Sequence, residues 1–218
     1  MKHSATKTVV VHTCARSQAQ LDAYICQWKE KGLKVSGSVC DVSSQADRDK
    51  LVKEVSSLFG GKLNILQINN AGTSVYKQTS DYTTENFSFL VNINLQSAFH
   101  LSQLAHLLLK ASGAGKIVFA PSICSVVSVN TGYPIYSAAK GGINELTRNL
   151  ECERDKDNIR VNSAAPWSIR TPMTEDVLKN ENVVKELAYQ TPMRRVGEVS
   201  SAVAFLCAIF NNRTGHLY

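Results

Sequence analysis

Residues 7–40 read KTVVVHTCARSQAQLDAYICQWKEKGLKVSGSVC, and this stretch decides the fold. Its first part, from Lys7 to Cys14, is rich in valine and predicts a β-strand. The segment from Ser17 to Lys31 places apolar side chains at helical spacing and is followed by Gly32, a residue type that commonly ends helices. A second strand is predicted from Leu33 to Cys40. Strand, helix and strand in succession predict that the two strands pair in parallel.

The alternation of strand and helix continues along the rest of the chain. The predicted strands are almost continuously apolar, which is typical of strands buried on both faces of a parallel sheet. Together they predict an α/β fold, a doubly wound parallel sheet in one domain spanning residues 1–218, with ligands bound beyond the carboxyl ends of the strands. Further strands are predicted at Leu63–Asn69, Lys116–Ala120 and Ile159–Ala164, and further helices at 44–58, Thr84–Lys110, Tyr136–Arg154, Met173–Tyr189 and Glu198–Ile209.

The composition argues against several classes of protein. The chain has 218 residues, and no apolar run approaches the roughly 20 residues of a membrane helix. Its six cysteines lack the spacing of a zinc site, so we expect reduced thiols, no metal and a cytoplasmic location. The basic residues are dispersed rather than arranged in a stripe, which argues against a nucleic-acid partner. The net charge of +6 fits either a plain basic surface or an anionic ligand such as a dinucleotide.

The first candidate for chemistry is Tyr136-Ser137-Ala138-Ala139-Lys140, which lies in a predicted helix. Residues four apart share one helix face, so the ammonium of Lys140 can lie close to the phenol of Tyr136. The pKa of a free tyrosine is about 10, and a nearby cation lowers it, which suits an acid or base near neutral pH. The same spacing arises by chance in many helices, so the pair alone leaves both alternatives open.

Two further segments follow predicted strands directly. Asn69-Asn70-Ala71-Gly72 ends in a glycine, which lets the backbone approach a ligand closely. Pro166-Trp167-Ser168-Ile169-Arg170-Thr171-Pro172 comes just after the strand at 159–164. Because ligands bind at the carboxyl ends of the strands in such a sheet, these segments and the Tyr136 helix point to one crevice.

Taken in order and spacing, the motifs resemble those of the short-chain dehydrogenases/reductases, and within them the plant tropinone reductase-like group. The resemblance implies a Rossmann-like fold and an NADP(H)-dependent oxidoreductase that reduces a small ketone to an alcohol or runs the reverse reaction. It covers nearly the whole chain and rests on HTCAR at 12–16, CDVS at 40–43, NNAG at 69–72, NLQSAFHLSQLAH at 94–106, YSAAKGG at 136–142 and NIRVNSAAPWSIRTPM at 158–173.

The resemblance implies a catalytic role for four residues. Tyr136 is expected to donate a proton to the carbonyl oxygen, while Lys140 lowers its pKa and holds the nicotinamide ribose. Asn94 is expected to anchor a water molecule in the proton relay. Ser122 is expected to bond the substrate oxygen, although it lies 14 residues before Tyr136, one more than is usual in the family. Ser125 is its rival, and a loop hydroxyl without a role is the other alternative.

The resemblance also implies contacts with NADP. Arg16 stands where members of this group bind the 2′-phosphate, and a guanidinium suits that dianion, although an ordinary surface arginine is the alternative. Asp41 is expected to touch the adenine. The family's usual glycine after Pro166 is Trp167 here, which indicates a tolerated variation or a narrowed pocket. The remaining contacts are expected along the adenine ribose and at the nicotinamide carboxamide, from Asn70, Ala71, Gly72, Ile169 and Thr171.

The chain departs from the family's layout at both ends. The family begins with a strand, a T-G-x-x-x-G-x-G turn that cradles the pyrophosphate, and a helix. Here the segment Val9-Val10-Val11-His12 matches the family's second strand, and the first glycine is Gly32. We therefore expect the first strand and helix and the last strand to be missing, and NADP binding to be impaired. The strand at 7–14 then either moves inward or leaves a gap, and an extra residue within 66–69 calls for a bulge.

Two hypotheses for function follow. The first is a reductase whose substrate is apolar, because Tyr133, Trp167 and Val177 are predicted to line its pocket. The second is a non-catalytic paralogue or splice form that acts as a subunit or binding partner of intact relatives. In the family the helix at 94–110 and the helix bearing Tyr136 form the dimer surface, so a homodimer or a heterodimer is expected. A sugar-nucleotide epimerase also uses Y-x-x-x-K. The chain is short and has no segment for the substrate domain of such an enzyme, which argues against this alternative.

Overall fold

The computed structural model describes residues 9–68, 71–128, 133–171 and 174–198, without the side chains of Ile68 and Val177. The chain divides into two compact units, residues 1–61 and residues 62–218. The single domain expected from the sequence stays a prediction.

The first unit alternates strand and helix. Strand β1 (Val10–Ala15) pairs in parallel with β2 (Lys34–Val39), from Val10 opposite Lys34 to Ala15 opposite Val39. Helix α1 (Gln18–Glu30) joins the two strands, and helix α2 (Gln45–Leu58) follows β2. The parallel pairing predicted from residues 7–40 is therefore confirmed.

Local sequence explains where these helices begin and end. The Ser17 hydroxyl accepts a hydrogen bond from the backbone N–H of Gln20, which caps α1. The Ser44 hydroxyl caps α2 in the same way through the N–H of Asp47. Gly32 follows α1 with a φ of +78°, a backbone conformation that glycine adopts without the steric strain of a Cβ.

Helix α1 packs closely on β2 because residue 37 is a glycine. A Cβ at Gly37 would lie 2.8 Å from Ile25 Cδ1 and 2.9 Å from Leu21 Cδ1. Leu21 is almost fully buried at this contact. A larger side chain at position 37 would therefore push the helix away from the strand.

The second unit is built around three parallel strands in the order β3-β4-β5 (Ile65–Ile68, Gly115–Phe119 and Ile159–Ser163). The β3–β4 ladder runs without interruption up to Ile68 opposite Phe119, and Leu66 packs against the core. A regular ladder thus keeps the side-chain facing, and the expected bulge is absent through Ile68. The core on this sheet comprises Ala98, Ala105, Leu109, Ile117, Phe119, Ile143, Leu150, Ile159 and Val161.

The long helix predicted over residues 84–110 is interrupted. It consists of α3 (Thr84–Val91), a π-helical segment (Asn92–Gln96), α4 (Ser97–Leu104) and α5 (His106–Ala111). The π-helical turn coincides with buried side chains that bond to the backbone, as such turns often do at functional sites. Asn94 lies in this turn, so the interruption bears on the candidate site.

Helix α6 (Pro134–Arg154) carries the Tyr136–Lys140 pair. It begins at a proline, whose missing N–H and fixed φ suit the first turn of a helix. A Cβ at Gly142 would lie 3.0 Å from Leu95 Cδ2, so a glycine at this position lets α6 lie close to the π-helical segment.

The last described part contains two short strands and two helices. Strand β6 (Ile169–Arg170) pairs in parallel with β7 (Gly197–Glu198), and helices α7 (Glu175–Leu178) and α8 (Glu181–Gln190) lie between them in sequence. The single helix predicted over 173–189 is thus two, because Asn180 caps α8 by accepting from two backbone N–H groups. The helix predicted over 198–209 lies outside the described residues from Val199 onward.

The described strands form three separate parallel sheets, β1-β2, β3-β4-β5 and β6-β7. Strand β1 pairs with β2 in the first unit, and β3 pairs with β4 in the second unit, so the expected inward shift of the strand at 7–14 stays a prediction. None of the helices in the described ranges combines the length and apolar character that crossing a bilayer requires. Within the same residues, no group of three metal-ligating side chains comes together.

Candidate active site

The site is centred on the hydroxyl of Tyr136, on the buried face of α6. Tyr136 is 9% exposed, and its hydroxyl is hydrogen-bonded to that of Ser122. Ser122 lies just beyond the end of β4, where its hydroxyl also accepts from the backbone N–H of Cys124 at 3.3 Å. A phenol and a hydroxyl therefore face one another at the carboxyl end of a core strand.

Ser125, the rival of Ser122, is engaged elsewhere. Its hydroxyl donates to the backbone carbonyl of Ser122 and accepts from Asn144 Nδ2 at 2.8 Å. The extra residue between Ser122 and Tyr136 leaves their contact intact. The structure therefore brings Ser122, and not Ser125, to the tyrosine.

Lys140 lies one helical turn after Tyr136 and is 6% exposed. Its Nζ is 5.7 Å from the centroid of the Tyr136 ring and donates to the carbonyl oxygen of Ala120 at 3.3 Å. Burial disfavours the ammonium and lowers the pKa of Lys140 to about 8. The pair that shares a face in the sequence is thus in contact in the structure.

The pKa of Tyr136 is raised in this structure, opposite to the net lowering expected from the sequence. Burial of the phenol raises the pKa of Tyr136, the hydrogen bond with Ser122 opposes that rise, and the nearby Cys124 adds to it. Burial dominates because a phenolate loses its hydration in this pocket, while the lysine nitrogen lies over the ring face. Tyr136 is therefore a protonated phenol at neutral pH.

Asn94 and Gly72 complete the described centre. Asn94 Nδ2 donates to the carbonyl oxygens of Leu90 and Thr73, both at 2.9 Å, and its Oδ1 accepts from the Thr73 N–H. A Cβ at Gly72 would lie 3.0 Å from Asn94 Oδ1 and 3.5 Å from Lys140 Nζ. The buried asparagine thus holds the chain after β3 so that a bare backbone faces the lysine.

The other predicted cofactor contacts in the second unit are more scattered. Ile169 lies in β6, and the backbone N–H of Thr171 donates to the hydroxyl of Thr174 at 3.0 Å. Thr174 also donates to the Ile169 carbonyl oxygen at 2.7 Å, so Thr174, which no sequence motif indicates, fixes this turn. Ala71 is exposed beside Gly72, and Asn70 lies outside the described residues.

Arg16 and Asp41 lie in the first unit, after the carboxyl ends of the paired strands β1 and β2. Arg16 is exposed. Hydrogen bonds from the backbone N–H and hydroxyl of Ser43 lower the pKa of Asp41, and the positive charge of Arg16 lowers it further. The two side chains predicted to meet the adenosine part of NADP are therefore electrostatically coupled neighbours.

Aromatic side chains lead from Tyr136 toward the surface. The ring centroids of Tyr136 and Tyr133 are 6.4 Å apart, and those of Tyr133 and Tyr76 are 5.6 Å apart, both in edge-on geometry. Tyr76 is exposed, and the Nε1 of Trp167 is buried without a hydrogen-bond partner among the described residues. The side chain of Val177 is not among those described.

A groove of about 490 Å³ opens beside the start of α6. None of the four expected catalytic residues lines it. Its lining is mainly apolar and consists of Thr79, Tyr82, Thr83, Thr84, Phe87, Pro134, Ile135 and Ala138.

Two residues near the centre carry no obvious signal in the sequence. Cys124 lies close enough to Tyr136 to raise its pKa, and Asn144 bonds to Ser125. Asn144 continues the four-residue spacing of Tyr136 and Lys140 on α6, which is the one pattern that points to it.

Comparison with known proteins gives the same assignment. Residues 2–182 match the family model described as short chain dehydrogenase. Tropinone reductase homolog At2g29150 of Arabidopsis thaliana is 55% identical over 200 residues, 90% of this chain and 74% of that protein. Senescence-associated protein 13 of the same plant is 56% identical over 200 residues, 90% of this chain and 73% of that protein.

A solved structure agrees on the fold. The crystal structure of levodione reductase superposes with a TM-score of 0.84 at 26% identity, over 95% of this chain and 84% of that one. The predicted α/β, Rossmann-like fold is therefore confirmed. On the family match and the level of identity, this chain belongs to the short-chain dehydrogenase family of oxidoreductases, within its tropinone reductase-like group.

Proposed function

We propose that this chain is an NADP(H)-dependent oxidoreductase that reduces a small apolar ketone to an alcohol, or runs the reverse reaction. The observation that carries the proposal is the buried Tyr136 hydroxyl, hydrogen-bonded to Ser122 and accompanied by Lys140 on the same helix face. These three side chains supply a proton, a partner for an oxygen and a cation at one point.

Proton transfer to the ketone follows from the state of Tyr136. A substrate oxygen beside Tyr136 and Ser122 accepts a hydrogen bond from each hydroxyl, and the phenol gives up its proton as negative charge develops on that oxygen. NADPH, when bound, supplies the hydride that reduces the carbonyl carbon. The raised pKa of Tyr136 keeps the phenol protonated at neutral pH, which is the form that can donate a proton.

Lys140 and Asn94 support this step in different ways. Below its pKa of about 8 the Lys140 ammonium carries the charge that stabilises the developing phenolate, and it is proposed to hold the nicotinamide ribose. Asn94 keeps the bare backbone of Gly72 near that ammonium, so a ribose can approach without meeting a side chain. The water molecule that Asn94 is proposed to anchor belongs to the same relay.

The proposed cofactor is NADP because of Arg16. An exposed guanidinium beside Asp41 offers a fork of N–H donors to a 2′-phosphate. Asp41, Asn70, Ala71 and Gly72 are proposed along the adenosine part, and Ile169 and Thr171 at the carboxamide. Arg16, an exposed cation, suits the phosphate of the cofactor, and the expected impairment of binding at the pyrophosphate stays a prediction that titration tests.

The proposed substrate is apolar because of its surroundings. Tyr133 and Tyr76 continue outward from Tyr136 as an aromatic row, which suits a hydrophobic ketone better than a charged one. Trp167, in place of the family's glycine, is proposed to narrow the pocket and restrict it to small substrates.

Calorimetric titration with NADPH and with NADH tests the cofactor assignment. We expect NADPH to bind more tightly than NADH, and Arg16→Ala to remove most of that difference by abolishing the phosphate contact. Arg148→Ala is the control, since Arg148 is an exposed arginine paired with Glu145 far along α6. Equal binding of both cofactors to the wild type would contradict the preference for NADP. Binding of neither cofactor would contradict the proposed oxidoreductase function.

A second candidate function is a subunit role, and exposed apolar side chains favour it. Phe99 on α4 is 46% exposed and Leu107 on α5 is 73% exposed, a pattern typical of a surface that a partner covers. We propose a homodimer, or a heterodimer with intact relatives, in the cytoplasm. Light scattering and co-purification with a tropinone reductase homolog test this role. A chain that stays monomeric and captures no relative contradicts it.

A further inference from the structure

Three side chains on one face of α6 hold the segment that follows β4. Tyr136 is hydrogen-bonded to the Ser122 hydroxyl, and Lys140 donates to the carbonyl of Ala120. Asn144, four residues further along the helix, donates to Ser125. The spacing of 136, 140 and 144 therefore matches a row of anchors along residues 120–125.

Asn144 fixes Ser125, and Ser125 in turn fixes Ser122. Asn144 Nδ2 lies 2.8 Å from Ser125 Oγ and 3.4 Å from the Ser125 carbonyl oxygen. The Ser125 hydroxyl donates to the Ser122 carbonyl, and the Ser125 N–H donates to the same oxygen at 2.9 Å. The Ser125 hydroxyl donates its one proton to the Ser122 carbonyl, so it can only accept a hydrogen bond from Asn144. The amide of Asn144 must therefore point its nitrogen toward Ser125.

The amide of Asn144 is buried where an apolar side chain would pack at lower cost. Its residue is 6% exposed, and its Oδ1 is buried with no hydrogen-bond partner among the described residues. A buried amide oxygen without a partner is unfavourable compared with an apolar side chain of the same size. The bond to Ser125 is the contact that this side chain contributes.

We propose that Asn144 is a positioning residue that holds the Ser122 hydroxyl against Tyr136 by way of Ser125. This inference rests on the proposed reductase function and assigns it a residue outside the expected set of four. Without the Asn144 anchor, residues 122–125 move, the Ser122 hydroxyl leaves Tyr136, and the pKa of Tyr136 loses the contribution that opposes its rise. Substrate oxygen then meets a tyrosine without its partner hydroxyl.

The variants Asn144→Ala, Ser125→Ala and their combination test the chain of contacts. Each single change is expected to lower kcat for ketone reduction by about tenfold, since small displacements of a catalytic hydroxyl have effects of this order. The KM for NADPH is expected to stay within about twofold, because neither residue is among the proposed cofactor contacts. The double variant is expected to be no slower than either single variant, because both break the same contact.

Thr147→Val is the matched control. Thr147 is a buried polar residue on the same helix, and its hydroxyl donates to Ile143 within that helix and not to residues 120–125. If Asn144→Ala lowers the melting temperature as Thr147→Val does but leaves kcat unchanged, the role of Asn144 is merely structural and the inference fails. Additive losses in the double variant also contradict it.

A measurement without turnover separates this inference from the proposed function. Carbon-13 labelling of the tyrosine rings, with Tyr136→Phe to assign the signal, follows the titration of Tyr136 by NMR. Asn144→Ala is expected to move that titration to higher pH, and Thr147→Val is expected to leave it in place. An unchanged Tyr136 titration in Asn144→Ala overturns the inference even if the wild type is active. A shifted one supports it even if no ketone is reduced.

Discussion

Gly72 lies where a Cβ would come within 3.0 Å of the carboxamide oxygen of Asn94. This Cβ would also lie 3.5 Å from the ammonium nitrogen of Lys140. An asparagine bonded to the backbone of Thr73 and Leu90 has little freedom to move away. The glycine is therefore required by the close approach of two proposed catalytic side chains.

Replacing Gly72 tests this close approach. Gly72→Ala is expected to displace the Asn94 carboxamide or the Lys140 ammonium and to lower turnover by about tenfold or more. Gly141→Ala is the control, because its Cβ would meet only the Ser125 carbonyl at 4.0 Å, an ordinary contact. We expect that control to keep its activity and to gain about 0.5–1 kcal/mol in the free energy of unfolding, as alanine favours helices. Equal activity of the two variants would contradict the geometry.

The buried Lys140 is expected to lower the free energy of unfolding, although the proposed reaction needs it. Burial lowers its pKa to about 8, so between that value and the unfolded value near 10.5 the unfolded chain binds more protons and stability rises with pH. Lys140→Met is expected to raise the free energy of unfolding at pH 7 by about 1–3 kcal/mol, and to abolish reductase activity. Urea denaturation across pH checks this, since the gain should disappear where the amine is neutral in both states. A variant destabilised at pH 7 would sink the prediction.

Asp157 holds the end of α5 to the turn after α6. Its carboxylate accepts from His106 Nε2 at 2.6 Å and from Lys110 Nζ at 2.7 Å, and these bonds lower its pKa. A carboxyl with a lowered folded pKa contributes stability above its unfolded pKa and loses it as pH falls through the folded value. Asp157→Asn is therefore expected to lower the melting temperature at pH 7, with the difference shrinking in acid. A difference that is constant with pH would contradict the ionic contribution.

The thiols of Cys14 and Cys40 interact in the first unit. Their interaction lowers the pKa of Cys14, while the same interaction and burial raise the pKa of Cys40. Iodoacetamide at pH 8 is therefore expected to modify Cys14 well before Cys40, as mass spectrometry of digested protein would record. Cys40→Ala removes the partner thiol and should slow the alkylation of Cys14. Cys40→Ser keeps a hydroxyl at that position as a replacement partner. Cys26, an exposed thiol, provides the reference rate.

Much of this arrangement could be predicted because it depends on residues that are close together in the sequence. The helices predicted from residues 17 and 44 begin at those positions, and the apolar composition of the strands predicts where they lie. The Tyr136–Lys140 contact follows from helix geometry alone. Ser122 is predicted only through the family resemblance, which places a serine near this distance before the tyrosine and leaves Ser125 as its rival.

The features that escaped prediction depend on tertiary contacts. The π-helical turn at residues 92–96 interrupts a sequence with good helical spacing, and its Asn94 side chain bonds to a distant backbone segment. The sign of the pKa change at Tyr136 depends on how deeply the phenol is buried, which spacing does not encode. Asn144 reads as an ordinary polar helix residue until its partner Ser125 is seen.

The decisive measurement is the rate of NADPH oxidation with a panel of small apolar ketones, for the wild type and for Tyr136→Phe, with NADPH affinity measured in both. The variant differs by one hydroxyl, so proton donation is removed while the ring is retained. We expect the wild type to oxidise NADPH with at least one ketone, and Tyr136→Phe to be slower by at least about a hundredfold with unchanged NADPH affinity. Equal rates in the two proteins, or a wild type that neither binds nor oxidises NADPH, would contradict the proposed function.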